Sequence, residues 1–191
     1  MMNLYSPLIL ASKSPRRQQL LKAAGFDFEI RTKDVNEDYP ADLAAIEVAP
    51  FLAQKKADAF LPELDNEILL TADTVVIVDE QVLGKPADYN EAFEMIELMS
   101  GRTHLVCSGV CIADKSQKHI ISDTTEITFK TFSKDEIDYY ITNYKPYDKA
   151  GAYGIQEWIG MTGVTAMSGS FYNVAGLPVH KVYDILINNF Q

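Results

Sequence analysis

Between Glu67 and Asp79 the chain reads EILLTADTVVIVD, apolar and β-branched almost throughout. Such a run leaves no polar face for water, so it is expected to be a strand buried on both sides of a sheet that helices flank. The surrounding pattern agrees. Strands are expected at Leu8 to Ala11 and around Phe28 to Arg31, with a helix from Pro15 to Ala24 between them. Gly25 is placed to end that helix, because glycine accepts the left-handed conformation on which helices often stop. Asp34 to Ala41 is acidic and loop-like, and a helix from Pro50 to Phe60 is expected to carry Pro50 in its first turn.

Further on, Asp88 and Glu91 form an acidic version of a capping box for a helix reaching Met99, closed by Ser100 and Gly101. Thr103 to Ala113 and His119 to Thr131 read as strands joined by the turn Asp114 to Lys118. Ser133 and Glu136 cap a helix through Asn143, a strand is expected at Thr162 to Met167, and Pro178 starts a last helix. Strands and helices alternate until a hairpin intrudes. The class is therefore α/β, with a mixed, twisted central sheet and flanking helices.

A chain of 191 residues suits a single domain over 1–191, and a hydrophobic share of 47% argues for a packed core rather than disorder. No apolar stretch approaches the roughly 20 residues of a membrane span. MMNLYSPLIL lacks the pattern of a secretory leader, so a cytoplasmic setting is expected. The net charge of −10 argues against general binding to nucleic acid or to an anionic membrane, and requires that an anionic ligand meet a local cationic pocket or a bound metal. Cys107 and Cys111 are four apart in one strand and face one way, which is poor disulfide geometry; two cysteines and three dispersed histidines make no zinc spacing. They are expected to be buried thiols.

Five stretches are candidates for chemistry. In ASKSPRRQQLL, Ser14 suits an N-cap and Pro15 the first helical position, which puts Arg16 and Arg17 in the first turn. Cations there oppose the helix dipole by about 0.3 to 1 kcal/mol. Either the arginines are merely solvated, or an anion such as phosphate is bound by them, by Ser12 and Ser14 and by the first-turn amides. In TADTVVIVD, Asp73 interrupts an apolar strand, where a carboxylate is expensive unless a cation pairs with it, and Thr74 beside it offers a hydroxyl. In VLGKP, Lys85 sits in a turn that is not a Walker A loop and reads alone as an exposed loop lysine. The loop KDVNEDYP offers Asp34, Glu37 and Asp38 as oxygen ligands for a hard cation, or is simply an acidic surface. In YDKAGAYGIQ, small residues allow close backbone approach and Gln156 offers an amide to a flat polar group such as a base edge. No nucleophile elbow is present, and the histidines have no evident nucleophile to serve.

Taken together, SKSPRRQQLL, DVNED, LAQKKA, TADTVV, LGKP, LMSGRTH, DKAGAYGIQ and GSFYNVAGLP resemble, in order and over essentially the whole chain, the Maf family of nucleoside triphosphate pyrophosphatases. DKAGAYGIQ looks like the branch acting on dTTP and UTP; in the branch handling 7-methyl-GTP, a Cys replaces Lys149 and Ser-Phe replaces Ala152-Tyr153. The resemblance implies an α/β fold similar to inosine triphosphate pyrophosphatases, an active-site cleft between two lobes, dependence on a divalent metal (Mg²⁺ or Mn²⁺) and often a homodimer. It implies that Asp73 is the proton acceptor and that Arg16, Thr74 and Gln156 govern base choice. Glu37, Lys56 and Lys85 match active-site positions, Ser12 and Ser14 match the phosphate-binding turn, and Arg17 is counted with the substrate contacts. Glu37 and Asp73 are the expected metal ligands. Glu157-Trp158 departs from the glycine many relatives carry after the glutamine. A nucleotide-binding regulator of septum formation without turnover, or cleavage of 7-methyl-GTP or inosine triphosphate, are the alternative readings.

Overall fold

The computed structural model describes residues 3–191; Met1 and Met2, at the head of the stretch read above for a leader, lie outside the described residues. In chain order the elements are β1 (Leu8–Leu10), α1 (Pro15–Ala23), β2 (Glu29–Ile30), α2 (Ala45–Phe60), β3 (Ile68–Val78), β4 (Gln81–Leu83), α3 (Tyr89–Met99), β5 (Thr103–Ala113) and β6 (Lys118–Phe129). After these come α4 (Lys134–Tyr144), α5 (Trp158–Gly163), β7 (Val164–Ser168), α6 (Phe171–Val174) and α7 (Val179–Phe190). The strands form one sheet in the order β2-β1-β3-β5-β6-β7, with β4 paired to β3. The sheet is mixed: β1 runs parallel to β2 and β3, whereas β3–β4 and β6–β7 are antiparallel. The described residues divide into two compact units, the first comprising 3–74, Ser108–Asp123 and Gly176–Gln191, the second Val75–Cys107 and Thr124–Ala175.

The first unit follows from strand alternation. Successive side chains of a strand point to opposite faces. Leu8, Leu10, Ile68, Leu70, Val110 and Ile112 accordingly pack with Leu21 of α1 and with Val182, Leu186 and Phe190 of α7. Ile9, Leu69, Cys111 and Ala113, the residues between them, pack with Ala53, Ala57 and Phe60 of α2. Both faces are thus covered by helices. Each fully buried Leu, Ile or Phe stabilises the fold by about 1.5–3 kcal/mol, which explains why this stretch tolerates so few polar residues. Gly25 follows α1 with φ +89°, as its place in the sequence required.

One boundary differs from expectation. α2 begins at Ala45, so Pro50 lies inside the helix rather than in its first turn. Proline cannot donate the interior hydrogen bond and is normally excluded there. The tolerance comes from packing: a Cβ on Gly109 of β5 would stand 2.2 Å from the Pro50 nitrogen and 2.3 Å from the Ala49 carbonyl carbon. The backbone of α2 therefore lies directly on the sheet at the one residue that has no side chain.

In the second unit β3 turns into β4 through Asp79 and Glu80, both at positive φ (46° and 64°), as two-residue hairpins demand. β4 was not expected, because it is three residues long and its turn carries no Gly or Asn. Asp88 caps α3 by accepting from the Glu91 amide at 3.0 Å, but the Glu91 carboxylate reaches the Ala87 amide at 2.7 Å instead of closing the box on Asp88. The box at Ser133 and Glu136 is complete. The strand expected at Thr162 begins at Val164 because the short helix α5 occupies Trp158–Gly163. α6 was likewise not expected. The core here is aromatic: Phe129 lies 5.0 Å from Tyr153, 5.2 Å from Phe132 and 4.9 Å from His104, measured between ring centroids. Cys107 in this unit and Cys111 in the first are buried and not in a disulfide, and burial pushes the Cys111 thiol up to about 11.

Candidate active site

Alternation along β3 decides where two adjacent polar side chains go. Residues on the α2 face include Leu69 and Thr71, whose hydroxyl donates to the Ala53 carbonyl of α2 at 2.7 Å. Asp73 continues that face and meets Lys56 of α2, with Oδ1 2.5 Å from Nζ. Thr74 takes the other face and meets Arg17 of α1, whose Nη2 donates to its hydroxyl at 3.0 Å.

Lys56 Nζ also lies 2.7 Å from Oε1 of Glu37, which the loop after β2 delivers. The side chains of Asp73 and Lys56 are 13% and 17% exposed, whereas Glu37 is 51% exposed, so the pair on the helix and strand is the anchored part and Glu37 its outer member. One ammonium therefore gathers two carboxylates. The cation that Asp73 required is Lys56, and its charge is engaged with carboxylates rather than standing alone for phosphate.

Arg17 is committed to the protein. Nε donates to the Gly176 carbonyl at 2.8 Å and Nη1 to the Ala72 carbonyl at 2.8 Å, in addition to the bond to Thr74. Burial holds its guanidinium below the ordinary range, while the Asp73 carboxylate acts in the opposite sense. The first turn of α1 is thereby fastened to β3 on both sides of Asp73. Thr74 is further shared with Ser108 of β5, their hydroxyl oxygens 2.8 Å apart, and with the Gly176 carbonyl at 3.4 Å. Ser108 and Gly176 were not singled out from the sequence. A serine in the buried run of β5 is the signal that was available, since a buried hydroxyl requires a partner.

Ser14 is the N-cap of α1 but makes no side-chain capping bond; Pro15 follows, and no acidic residue occupies the first turn. Ser12 is buried and its hydroxyl accepts from the Ser14 amide at 3.2 Å. Arg16 is half-buried in the same turn. The first turn of α1 thus opens without a side-chain cap, and the amides that follow Pro15 have no partner within the helix.

Lys85 and Gln156 belong to the second unit. Both are exposed, and among the described residues neither makes a hydrogen bond or ion pair through its side chain. Their two stretches meet where the Gly151 amide donates to the Gly84 carbonyl at 2.9 Å. Asp34 pairs with Lys13 at 2.8 Å, and Asp38 accepts from Asn36 at 2.7 Å, so neither joins Glu37 at Lys56. Among the described residues no group of three or more His, Cys, Asp or Glu gathers for a metal. Nor is any helix long and apolar enough to cross a membrane.

Comparison with known proteins follows the same lines. The family model described as Maf-like protein matches residues 7–189. A dTTP/UTP pyrophosphatase of Flavobacterium johnsoniae is 54% identical over 180 residues, covering 94% of this chain and 93% of that protein. A dTTP/UTP pyrophosphatase of Bacteroides thetaiotaomicron is 47% identical over 92% of each chain. Among solved structures, a HAM1 protein from Coxiella burnetii shares the fold, with a TM-score of 0.50 at 15% identity over 96% of this chain and 99% of that one. With its polar residues placed as above and the family model matched from residue 7 to residue 189, the chain belongs to the Maf family.

Proposed function

We propose that this protein hydrolyses dTTP and UTP between the α and β phosphates, releasing the nucleoside monophosphate and pyrophosphate. 5-Modified UTP analogues fall within the same reading, which would limit misincorporation of non-standard nucleotides. Relatives at 54% and 47% identity carrying that name support the substrate class. The observation that carries the chemistry is the convergence of Glu37 and Asp73 on Lys56 Nζ, in a unit where Arg17 ties the first turn of α1 to the residues on either side of Asp73.

Asp73 accepts the proton of the attacking water, and Glu37 shares the work of holding charge in place. Ser12, Ser14, Arg16 and the first-turn amides of α1 receive phosphate oxygens, with Arg17 bracing the turn. Lys56 keeps two like charges together and adds positive potential beside the phosphates. Lys85 and Gln156 are assigned by family resemblance, the lysine to the leaving pyrophosphate and the amide to the pyrimidine edge. A site built to hydrogen-bond one edge rejects others by leaving its own groups unpaired.

The carboxylates of Glu37 and Asp73, already drawn to one cation, suit a Mg²⁺ or Mn²⁺ ion, which takes one or two carboxylates and completes its shell with substrate oxygens and water. When bound, the ion neutralises charge on the phosphates and the leaving group. A homodimer in the cytoplasm belongs to the same reading, and sedimentation tests the dimer.

The decisive experiment is a substrate panel of UTP, dTTP, CTP, GTP, inosine triphosphate and 7-methyl-GTP with Mg²⁺, read as pyrophosphate release. Preferential release from UTP and dTTP is expected. Binding without release, or preference for a purine, overturns the assignment.

A further inference from the structure

The turn that carries Gln156 is held by a polar cluster of Tyr140, Lys149 and Glu157. Tyr140, fully buried in α4, donates its hydroxyl to Glu157 Oε2 and accepts from the Gly154 amide at 3.0 Å. Lys149 Nζ, also buried, lies 3.1 Å from Glu157 Oε1 and 2.8 Å from Asp148 Oδ1. The Glu157 amide donates back to the Gly154 carbonyl at 3.0 Å, closing a tight turn. A Cβ on Gly154 would stand 2.8 Å from the Glu157 carboxyl carbon and 3.1 Å from Lys149 Cε, so backbone and cluster are in direct contact.

Gly154 and Ile155 on one side and Glu157 on the other are thus buried or pinned, and Gln156 alone in the turn projects as an exposed side chain. Burial, and next the Glu157 carboxylate, push the Tyr140 hydroxyl above its ordinary range, so it remains a donor throughout the working pH range. An ion pair held away from water seldom stabilises more than apolar side chains of the same volume, so the Lys149–Glu157 pair matters for the geometry it holds.

We propose that Glu157, fixed by Tyr140 and Lys149, is a positioning residue that sets the presentation of Gln156 and hence the discrimination among bases. The proposal rests on the reading that Gln156 contacts the base. Its test is steady-state kinetics on UTP and CTP for Glu157→Gln, Tyr140→Phe, Gln156→Ala and the Tyr140→Phe/Gln156→Ala pair, each checked for folding by thermal melting. Glu157→Gln and Tyr140→Phe are expected to raise KM for UTP about tenfold with kcat nearly unchanged, and to lower the UTP preference by a similar factor. Gln156→Ala is expected to lower that preference at least as much, and the double variant no further. If Gln156→Ala lowers the preference while Glu157→Gln and Tyr140→Phe melt earlier but discriminate as before, positioning by Glu157 is overturned. If Gln156→Ala leaves the preference intact, the base-contact reading itself fails and the proposal falls with it.

Discussion

Lys56 Nζ stands 2.5 Å from Asp73 Oδ1, an ammonium from the fourth turn of α2 meeting a carboxylate in the middle of β3. Glu37 completes the arrangement from a loop, and removing the ammonium leaves two carboxylates facing each other. Their repulsion is then uncompensated, and an anionic triphosphate meets one positive charge fewer. Lys56→Met is expected to reduce kcat/KM for UTP about 100-fold, and Asp73→Asn to reduce kcat by about 10² to 10⁴, the range for loss of a general base. Pyrophosphate release at saturating Mg²⁺ measures both; near wild-type turnover in Asp73→Asn would remove that residue from its role.

Arg17→Lys should act on stability before it acts on chemistry. A lysine ammonium cannot span the Gly176 and Ala72 carbonyls and the Thr74 hydroxyl as the planar fork does. With at least one buried partner left unsatisfied, a loss of about 2–4 kcal/mol is expected. Urea unfolding should show a lower midpoint at unchanged slope.

Gly109→Ala should be among the most damaging single changes in the first unit. The added methyl meets the α2 backbone at 2.2 Å, and that backbone contains Pro50, which cannot shift within the helix without further loss. Destabilisation above about 4 kcal/mol is expected. A soluble variant with a wild-type melting temperature would contradict the packing described.

His104 predicts a pH dependence. It is buried with Nε2 2.8 Å from the Tyr153 hydroxyl, and burial lowers its pKa to about 4 from 6.5. Between those values the unfolded chain binds a proton that the folded one does not. Stability therefore rises with pH across this window, by at most about 1.4 kcal/mol per pH unit from this group, and the contribution levels off above the unfolded value. His104→Gln should flatten the fall in urea stability between pH 6.5 and pH 5 relative to the wild type; parallel curves would count against it.

Local patterns show how much of this was legible in advance. The core strand β3, the Ser133 capping box, Gly25 and the N-terminal Pro15 all depend on a few neighbouring residues, and each stands where the sequence put it. Pro50 was misplaced because its tolerance depends on Gly109, far away in the chain. β4 escaped notice because its hairpin uses Asp79 and Glu80 in place of the usual turn residues.

The sequence by itself determined the α/β class and the doubly buried strand, and it singled out Asp73 and Thr74 from their place in that strand and Lys56 and Glu37 by resemblance as candidate site residues. Only the tertiary structure decided their partners: that Lys56 binds both carboxylates, that Arg17 braces the α1 turn through Ala72, Thr74 and Gly176, and that Ser108 meets Thr74. The reason is physical. Periodicity fixes which face of a strand a side chain takes, but which helix lies against that face depends on contacts between residues distant in the chain.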